Sequence, residues 1–383
     1  MPRRSRVVLA VFIDAFGWRI LRSHGFLEDV LTRKAPLGTM LGYSSTCDPT
    51  ILTGALPRDH QHFSFYYYDP DNSPFRAWRF LSFLPRFATD RGRVRHWMSR
   101  AVARVHGFTG YFELYNVPFD VLPLMDYSEK RDIYQPGGII GRIPTVFDYF
   151  REKEIPFFLS DWRVPEIDNI QGAGRALENG TVRFAYLFLG GLDGVLHEKG
   201  TRADEVGRKI AWYEKQIRTL LKTARARYDD VRVHVFSDHG MADVTGLCDL
   251  MSRIEGLGLR YGRDYAAVYD STMARFWFLR EGARERISGV LEDESCGRML
   301  TDEELVGYGC DFPGSRYGEM FFLAHPGTII CPSYMGLRPI AGMHGYDPDH
   351  EDSIASYSTN TADCEPPRDL TDLAGLFKKE VTI

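Results

Sequence analysis

Sulfur chemistry is sparse in this chain. Its six cysteines (Cys47, Cys248, Cys296, Cys310, Cys331 and Cys364) are scattered over 383 residues with no Cys-x-x-Cys pair. That excludes a zinc ribbon and a disulfide-framed scaffold, and it points to reduced thiols in a cytoplasmic protein. Long apolar runs are also missing. The basic start, residues 1–6, leads into an apolar run at 7–13, far short of the roughly 20 residues that span a bilayer. No small-residue cleavage site follows, so the run reads as a buried strand rather than an export signal. No apolar run elsewhere spans a membrane. Neither charge sign dominates: 47 Lys and Arg against 52 Asp and Glu leave a net −5. The bulk charge therefore makes no case for nucleic acid or an anionic membrane as partner. Internal repeats and low-complexity tracts are absent.

What is present is an ordinary globular composition, 44% hydrophobic and 26% charged, in a chain long for a single core. Short apolar runs at 7–13, 157–160, 184–189 and 231–236 fit strands of a parallel sheet covered on both faces. Between them lie helical patterns. Thr145 caps a helix expected over 146–153, and 202–228 places Val206, Ile210, Tyr213, Ile217, Leu220 and Ala224 at three- and four-residue steps. Residues 356–367 read as a loop and 369–378 as a closing helix. The alternation predicts an α/β/α sandwich with a mostly parallel central sheet, one catalytic domain over 1–383. Two stretches break the pattern, an aromatic- and Arg-rich one at 61–136 and another at 248–330. Both read as insertions that form a cap, most of the aromatics packing the cap's own core.

Metal-ligand residues end the strands. Asp14 follows the first; Asp193 and His197 follow the third at a spacing of four, which a helical turn puts on one face. Asp238 and His239 follow the fourth, and His344 sits in the glycine-rich 342–345. Each has a plainer reading on its own: a helix cap, a surface histidine, a turn, a loop histidine. Together, three Asp and three His suffice for two divalent cations. A hydroxyl-rich segment, Tyr43-Ser44-Ser45-Thr46, precedes Thr53-Gly54 and reads as a helix N-terminus presenting a hydroxyl and backbone N–H groups to a phosphoryl oxygen.

In this order the motifs resemble the alkaline phosphatase superfamily, and most closely its type I phosphodiesterase / nucleotide pyrophosphatase branch. Phe12-Ile13-Asp14-Ala15-Phe16-Gly17 is similar to the first-strand motif. The segment from Thr53-Gly54 through Pro57 to His60 is similar to TGxxPxxHG, with Gln61 where Gly is usual. Ser237-Asp238-His239-Gly240-Met241 is similar to SDHGM. The resemblance implies an alkaline-phosphatase-like fold and places the nucleophile ten residues before Gly54, at Ser44, with Ser45 and Thr46 as fallbacks. It implies one cation held by Asp193, His197 and His344, and another by Asp14, Asp238 and His239, with Ser44 shared. The donor set suits Zn²⁺, with Mn²⁺ or Fe as alternatives, the ions about 3.5–4 Å apart. The implied activity is hydrolysis of a small phosphate diester through a covalent Ser44 intermediate.

There are departures. Cys47 stands where an Asn that touches phosphate is common, and Thr46 and Asp48 stand where a sulfatase has Pro and Arg. A sulfatase and a mutase are disfavoured. The remaining alternatives are a phosphomonoesterase or phosphonate hydrolase on the same site, and a catalytically silent binding protein keeping the fold. Nucleic-acid binding through the Arg-rich 76–104 is disfavoured, because such faces are more often merely solvated. Nothing in the sequence sets the oligomeric state.

Overall fold

The computed structural model describes residues 4–83 and 92–382. Residues 84–91, within the Arg-rich 76–104 stretch, lie outside the described residues.

The first strand, β1 (Arg4–Ile13), is the axis of the molecule. Side chains alternate faces along a strand. Val7, Leu9, Val11 and Ile13 accordingly enter one apolar cluster and Val8, Ala10 and Phe12 another. All seven are fully buried, and all but Ala10 contribute roughly 1.5–3 kcal/mol each of hydrophobic stabilisation. A strand buried on both faces needs a covering layer on each, hence the sandwich. Five further strands complete the sheet: β2 (Arg33–Leu37), β3 (Phe157–Leu159), β4 (Phe184–Leu189), β5 (Tyr228–Phe236) and β6 (Ala355–Thr359). Their spatial order is β2-β6-β5-β1-β4-β3. Strands β3, β4, β1 and β5 run parallel; β6 is antiparallel to both β5 and β2.

One face is covered by helices α1 (Trp18–His24), α4 (Glu166–Asn179), α5 (Gly191–Lys199) and α6 (Asp204–Arg225). Helix α6 buries the residues its spacing predicts, Val206 through Ala224. The other face is covered by α2 (Ser44–Thr53), α3 (Val146–Glu152) and α7 (Asp372–Thr382). Thr145 caps α3 in a reciprocal box: its Oγ1 accepts from the Asp148 N–H and the Asp148 carboxylate accepts from the Thr145 N–H.

Three expectations need correction. Residues 355–359 form strand β6, not the start of a loop. The run is rich in Ser and Thr, which usually marks a turn, but here the buried hydroxyls find partners. Ser356 Oγ donates to the Phe16 carbonyl at 2.6 Å, and the Ser356 N–H donates to Ser237 Oγ at 2.9 Å. The closing helix starts three residues later than expected, at Asp372. The thiols are not all reduced: Cys248 is bonded to Cys296 across 48 residues. Strand pairing in the cap brings their Cα atoms to 6.1 Å, a proximity that spacing cannot reveal. This bond removes the ground on which a cytoplasmic location rested. Among the described residues, no helix is long and apolar enough to cross a membrane.

The stretches at 61–136 and 248–330 contribute to a single apolar cluster. Its frame is a four-stranded antiparallel sheet (Tyr265–Tyr269, Met273–Phe278, Met320–Ala324, Gly297–Met299) beside the pair Tyr66–Tyr68 and Met125–Tyr127. Phe63, Tyr66, Phe75 and Tyr127 are fully or nearly fully buried there, packing the cap rather than awaiting a ligand. Arg95 points inward as well: Nη1 donates to the Val117 carbonyl at 2.7 Å.

Candidate metal centre and active site

Because β1, β4 and β5 are parallel, their carboxyl ends lie on one edge of the sheet, where sites of such folds form. Asp14 follows β1, Asp193 and His197 sit in α5 after β4, and Asp238 and His239 follow β5. His344 comes from further along the chain. It is carried in by the strand Gly342–Met343, which pairs antiparallel with Ala242–Asp243 just beyond His239. The loops after β1 and β5 meet backbone to backbone: a Cβ on Gly17 would lie 2.3 Å from the Gly240 Cα. Ala15 adopts a left-handed backbone, φ 59°, and its N–H donates to Asp238 Oδ1 at 3.2 Å.

The structure brings all seven sequence-selected residues together. Asp193 Oδ1 lies 3.3 Å from His197 Nε2 and 3.8 Å from His344 Nε2. His239 Nε2 lies 3.0 Å from Asp238 Oδ2, 3.8 Å from Asp14 Oδ1 and 3.1 Å from Ser44 Oγ. Two triads, Asp193/His197/His344 and Asp14/Asp193/His239, each place one donor atom per residue within 4.8 Å of the others. Asp193 thus belongs to both. His197 and His239 use Nδ1 to donate to the carbonyls of Gly342 (2.8 Å) and Gly240 (2.9 Å). Each Nε2 is then the ring nitrogen that faces the carboxylates, the arrangement seen in metal-ligating histidines.

The fallback hydroxyls are engaged elsewhere. Ser45 Oγ and Thr46 Oγ1 both donate to the Phe63 carbonyl, at 2.6 and 2.7 Å. Only Ser44 faces the cluster. It is the first residue of α2, and among the described residues the Ser44 and Ser45 N–H groups have no acceptor; the first helical bonds come from Thr46 and Cys47 to the Tyr43 carbonyl. His60, in the stretch similar to TGxxPxxHG, does not join the cluster. It bonds Thr50 through Nε2 at 2.9 Å and braces the helix.

The electrostatics of the cluster call for added positive charge. Burial, then the carboxylates of Asp238, Asp193 and Asp48, push Asp14 well above the ordinary carboxyl range. Burial opposes charge on His239, but Asp238 and Asp193 lift it to about 9. Burial, His239 and His197 hold His344 well below the usual imidazole range. The His239 and His344 rings stack 3.7 Å apart, 11° from parallel, a contact that two protonated rings would oppose. Asp14 Oδ1 and His344 Nδ1 are buried with no hydrogen-bond partner, and Asp193 Oδ1 and Asp238 Oδ2 meet only the imidazoles of the cluster itself. Buried polar atoms are rarely left so. Oxygen and imidazole donors without partners outside the cluster, around an uncompensated negative charge, fit divalent cations.

The site opens into a cavity of about 640 Å³. Sequence reasoning missed much of its wall: Asp48, Tyr111, Tyr115, Glu129, Tyr134 and Trp162. One pair carried a signal, Ser44 with Asp48, at the four-residue spacing that shares a face of α2. The rest are joined only by the fold. Among the described residues, no Lys or Arg lines the cavity.

Comparison with known proteins agrees with this architecture. The fold is that of murine ectonucleotide pyrophosphatase / phosphodiesterase 5, an inactive variant in complex with AMP: TM-score 0.68, 14% identity, covering 99% of this chain and 96% of that one. The human protein of the same name gives TM-score 0.67, 14% identity, and coverage of 99% and 95%. No curated protein matches by sequence. A family profile described as type I phosphodiesterase / nucleotide pyrophosphatase matches residues 42–347. Those residues run from the turn before Ser44 to just past His344 and make up most of the chain, which therefore belongs to the type I phosphodiesterase / nucleotide pyrophosphatase family.

Proposed function

We propose that this chain hydrolyses phosphodiesters with Ser44 as nucleophile. Its ligands would be Asp193, His197 and His344 for one divalent cation, and Asp14, Asp238 and His239 for a second. The observation that carries the reading is the position of Ser44 Oγ. It heads a helix and lies 3.1 Å from His239 Nε2, while the neighbouring hydroxyls are tied to Phe63. When bound, two divalent cations (Zn²⁺ by donor type, Mn²⁺ or Fe as alternatives) supply Lewis-acid stabilisation of phosphoryl charge.

The chain's own residues do the rest. Ser44 Oγ attacks phosphorus in line, the bond to the departing alcohol breaks, and a Ser44 phosphoester forms that water then hydrolyses. The unengaged N–H groups of Ser44 and Ser45 sit at the positive end of α2, suited to a phosphoryl oxygen. His197 and His239 are fixed in orientation by the Gly342 and Gly240 carbonyls.

The cavity favours a diester over a monoester. A monoester carries a second negative charge on phosphate, and among the described residues no Lys or Arg lines the wall to receive it. The test is Ser44→Ala assayed on bis(p-nitrophenyl) phosphate and p-nitrophenyl phosphate with metal content measured in parallel. Wild type is expected to prefer the diester. The variant is expected to keep its metals and lose at least about a thousandfold in rate. Near wild-type turnover by Ser44→Ala would refute the nucleophile.

A further inference from the structure

Far from the metal centre, the cap carries a helix whose outer side differs from an ordinary solvated surface. The helix Gly92–His106 is held from within, where Arg95, Ser99 and Val102 are buried. The Arg95 guanidinium lies 4.3 Å over the Phe119 ring. Ser99 Oγ lies 2.9 Å from Glu113 Oε1 and accepts the Leu114 N–H at 2.9 Å. These contacts fix which side of the helix faces out.

The outward residues sort into two stripes. Positions three and four apart share a helix face. Arg93, His96, Arg100 and Arg104 form one stripe, and Val94, Trp97, Ala101 and Val105 form the one beside it; all eight are exposed. Trp97 is 70% exposed and Val105 76%. At 1.5 Å per residue the stripes run for about 18 Å. No Asp or Glu interrupts them, since the helix contains neither. His96 has Glu113 at 3.6 Å. Among the described residues, no carboxylate pairs with Arg93, Arg100 or Arg104. The net −5 of the whole chain conceals this local positive strip.

The pattern discriminates among partners. A face that is merely solvated carries apolar side chains singly, not Val, Trp and Val in one row. A second copy packed on this face about a two-fold axis would set Arg against Arg. Single-stranded nucleic acid is gripped by successive rings along a basic groove, and Trp97 is the only Phe, Trp or Tyr of the helix. An anionic bilayer surface meets both stripes at once. Its headgroups take the guanidinium charges, and the boundary between headgroups and acyl chains takes the indole and the valines. We propose that this helix docks the protein on an anionic phospholipid membrane, with Arg93, Arg100 and Arg104 on lipid phosphates and Val94, Trp97 and Val105 dipped below them. Such docking lies in the membrane plane and needs no spanning segment. It stands independently of the hydrolase reading.

Cosedimentation of the full chain with vesicles tests it, at about 0.1 M salt where charges are felt over roughly 10 Å. Wild type is expected to partition at least about fiftyfold more strongly onto phosphatidylcholine vesicles containing phosphatidylserine than onto phosphatidylcholine alone. Each Arg near the surface contributes about fivefold, so R93Q/R100Q/R104Q is expected to lose about a hundredfold. Trp97→Ser keeps every charge and is expected to lose about tenfold on the anionic vesicles. Failure of wild type to bind anionic vesicles overturns the proposal. So does binding that survives the triple Gln variant. Binding that Trp97→Ser leaves unchanged overturns it as well, because the contact is then charge alone and nothing enters the bilayer. Capture of a single-stranded oligonucleotide without any vesicle binding overturns it in favour of nucleic acid.

Discussion

Two buried charge clusters lie in this molecule, and they differ in whether the chain completes them. In the cap, Arg275 is fully buried and fully partnered. Its Nη2 reaches Asp270 at 3.0 Å, Ser64 Oγ at 2.8 Å and the Tyr66 carbonyl at 2.9 Å, while Nη1 donates to the Tyr317 carbonyl at 3.0 Å. At the sheet edge, Asp14 and His344 each leave a buried atom without a partner, and Asp193 Oδ1 and Asp238 Oδ2 reach only the imidazoles beside them. Burial of charge therefore does not mark a site. Several unmet carboxylate and imidazole atoms gathered in one place do, whereas single unmet atoms such as Tyr127 Oη and His62 Nδ1 also occur away from the cluster.

The sharpest way to break this comparison is to remove the residue both ligand triads share. Asp193→Ala is expected to lower bound metal and cut kcat/KM on bis(p-nitrophenyl) phosphate by at least about a thousandfold, with near-UV circular dichroism unchanged. Elemental analysis alongside the assay decides it. Retained metal with retained rate would show that the open valences at the sheet edge are structural accidents. The same operation on the closed cluster should act on folding instead. Arg275→Met leaves Asp270 charged and buried, and is expected to destabilise by about 3–5 kcal/mol, read by urea unfolding. Replacing Asp270 with Leu in the same chain should recover much of that loss, since it removes the unpaired buried charge.

Acid separates the two kinds of histidine. His62 and His234 lie outside the ligand cluster, and burial holds each near 3. His62 Nε2 accepts the Ile140 N–H at 3.0 Å, and His234 Nδ1 meets the Tyr357 hydroxyl at 2.6 Å. Their folded values lie below the unfolded value near 6.5. The stability they contribute is therefore present above about pH 6.5 and lost as pH falls toward 3. At pH 5 each is expected to remove about 2 kcal/mol relative to pH 7, a figure set by the unfolded value while the folded one stays below 5. A melting temperature flat from pH 7 to 5 would contradict it.

The sandwich and the clustering of the candidate ligands were legible for one physical reason. Strands buried on both faces are continuous apolar runs, and a charged residue at the end of such a run stands out. Asp14, Asp193 and Asp238 are visible that way, and the four-residue step from Asp193 to His197 survives as geometry because α5 is helical. His344 follows only a two-residue strand and was visible chiefly through a family resemblance. Strand β6 was hidden because its Ser and Thr hydroxyls are satisfied by distant backbone and side chains. The Cys248–Cys296 bond and the Glu129 wall were hidden for a related reason, that residues far apart in sequence meet only through pairing in the cap. The resemblance already placed the nucleophile at Ser44; that Ser45 and Thr46 are tied to the Phe63 carbonyl could be seen only in the fold.

The smallest effect falls on a polar group that is both buried and locally complete. Thr145 is 1% exposed, its Oγ1 donates to Asp148 Oδ2 at 2.9 Å, and it accepts from the Asp148 N–H at 3.2 Å. All of these partners lie within one turn at the head of α3, on the sheet face away from α5. Thr145→Ala removes one acceptor for one N–H and leaves a methyl-sized gap, so the expected loss is about 1 kcal/mol, with kcat/KM on the diester unchanged. A loss several times larger would mean that Thr145 is coupled to groups beyond its own turn. The division between clusters the chain completes and clusters that wait for a ligand would then have to be redrawn around α3 as well.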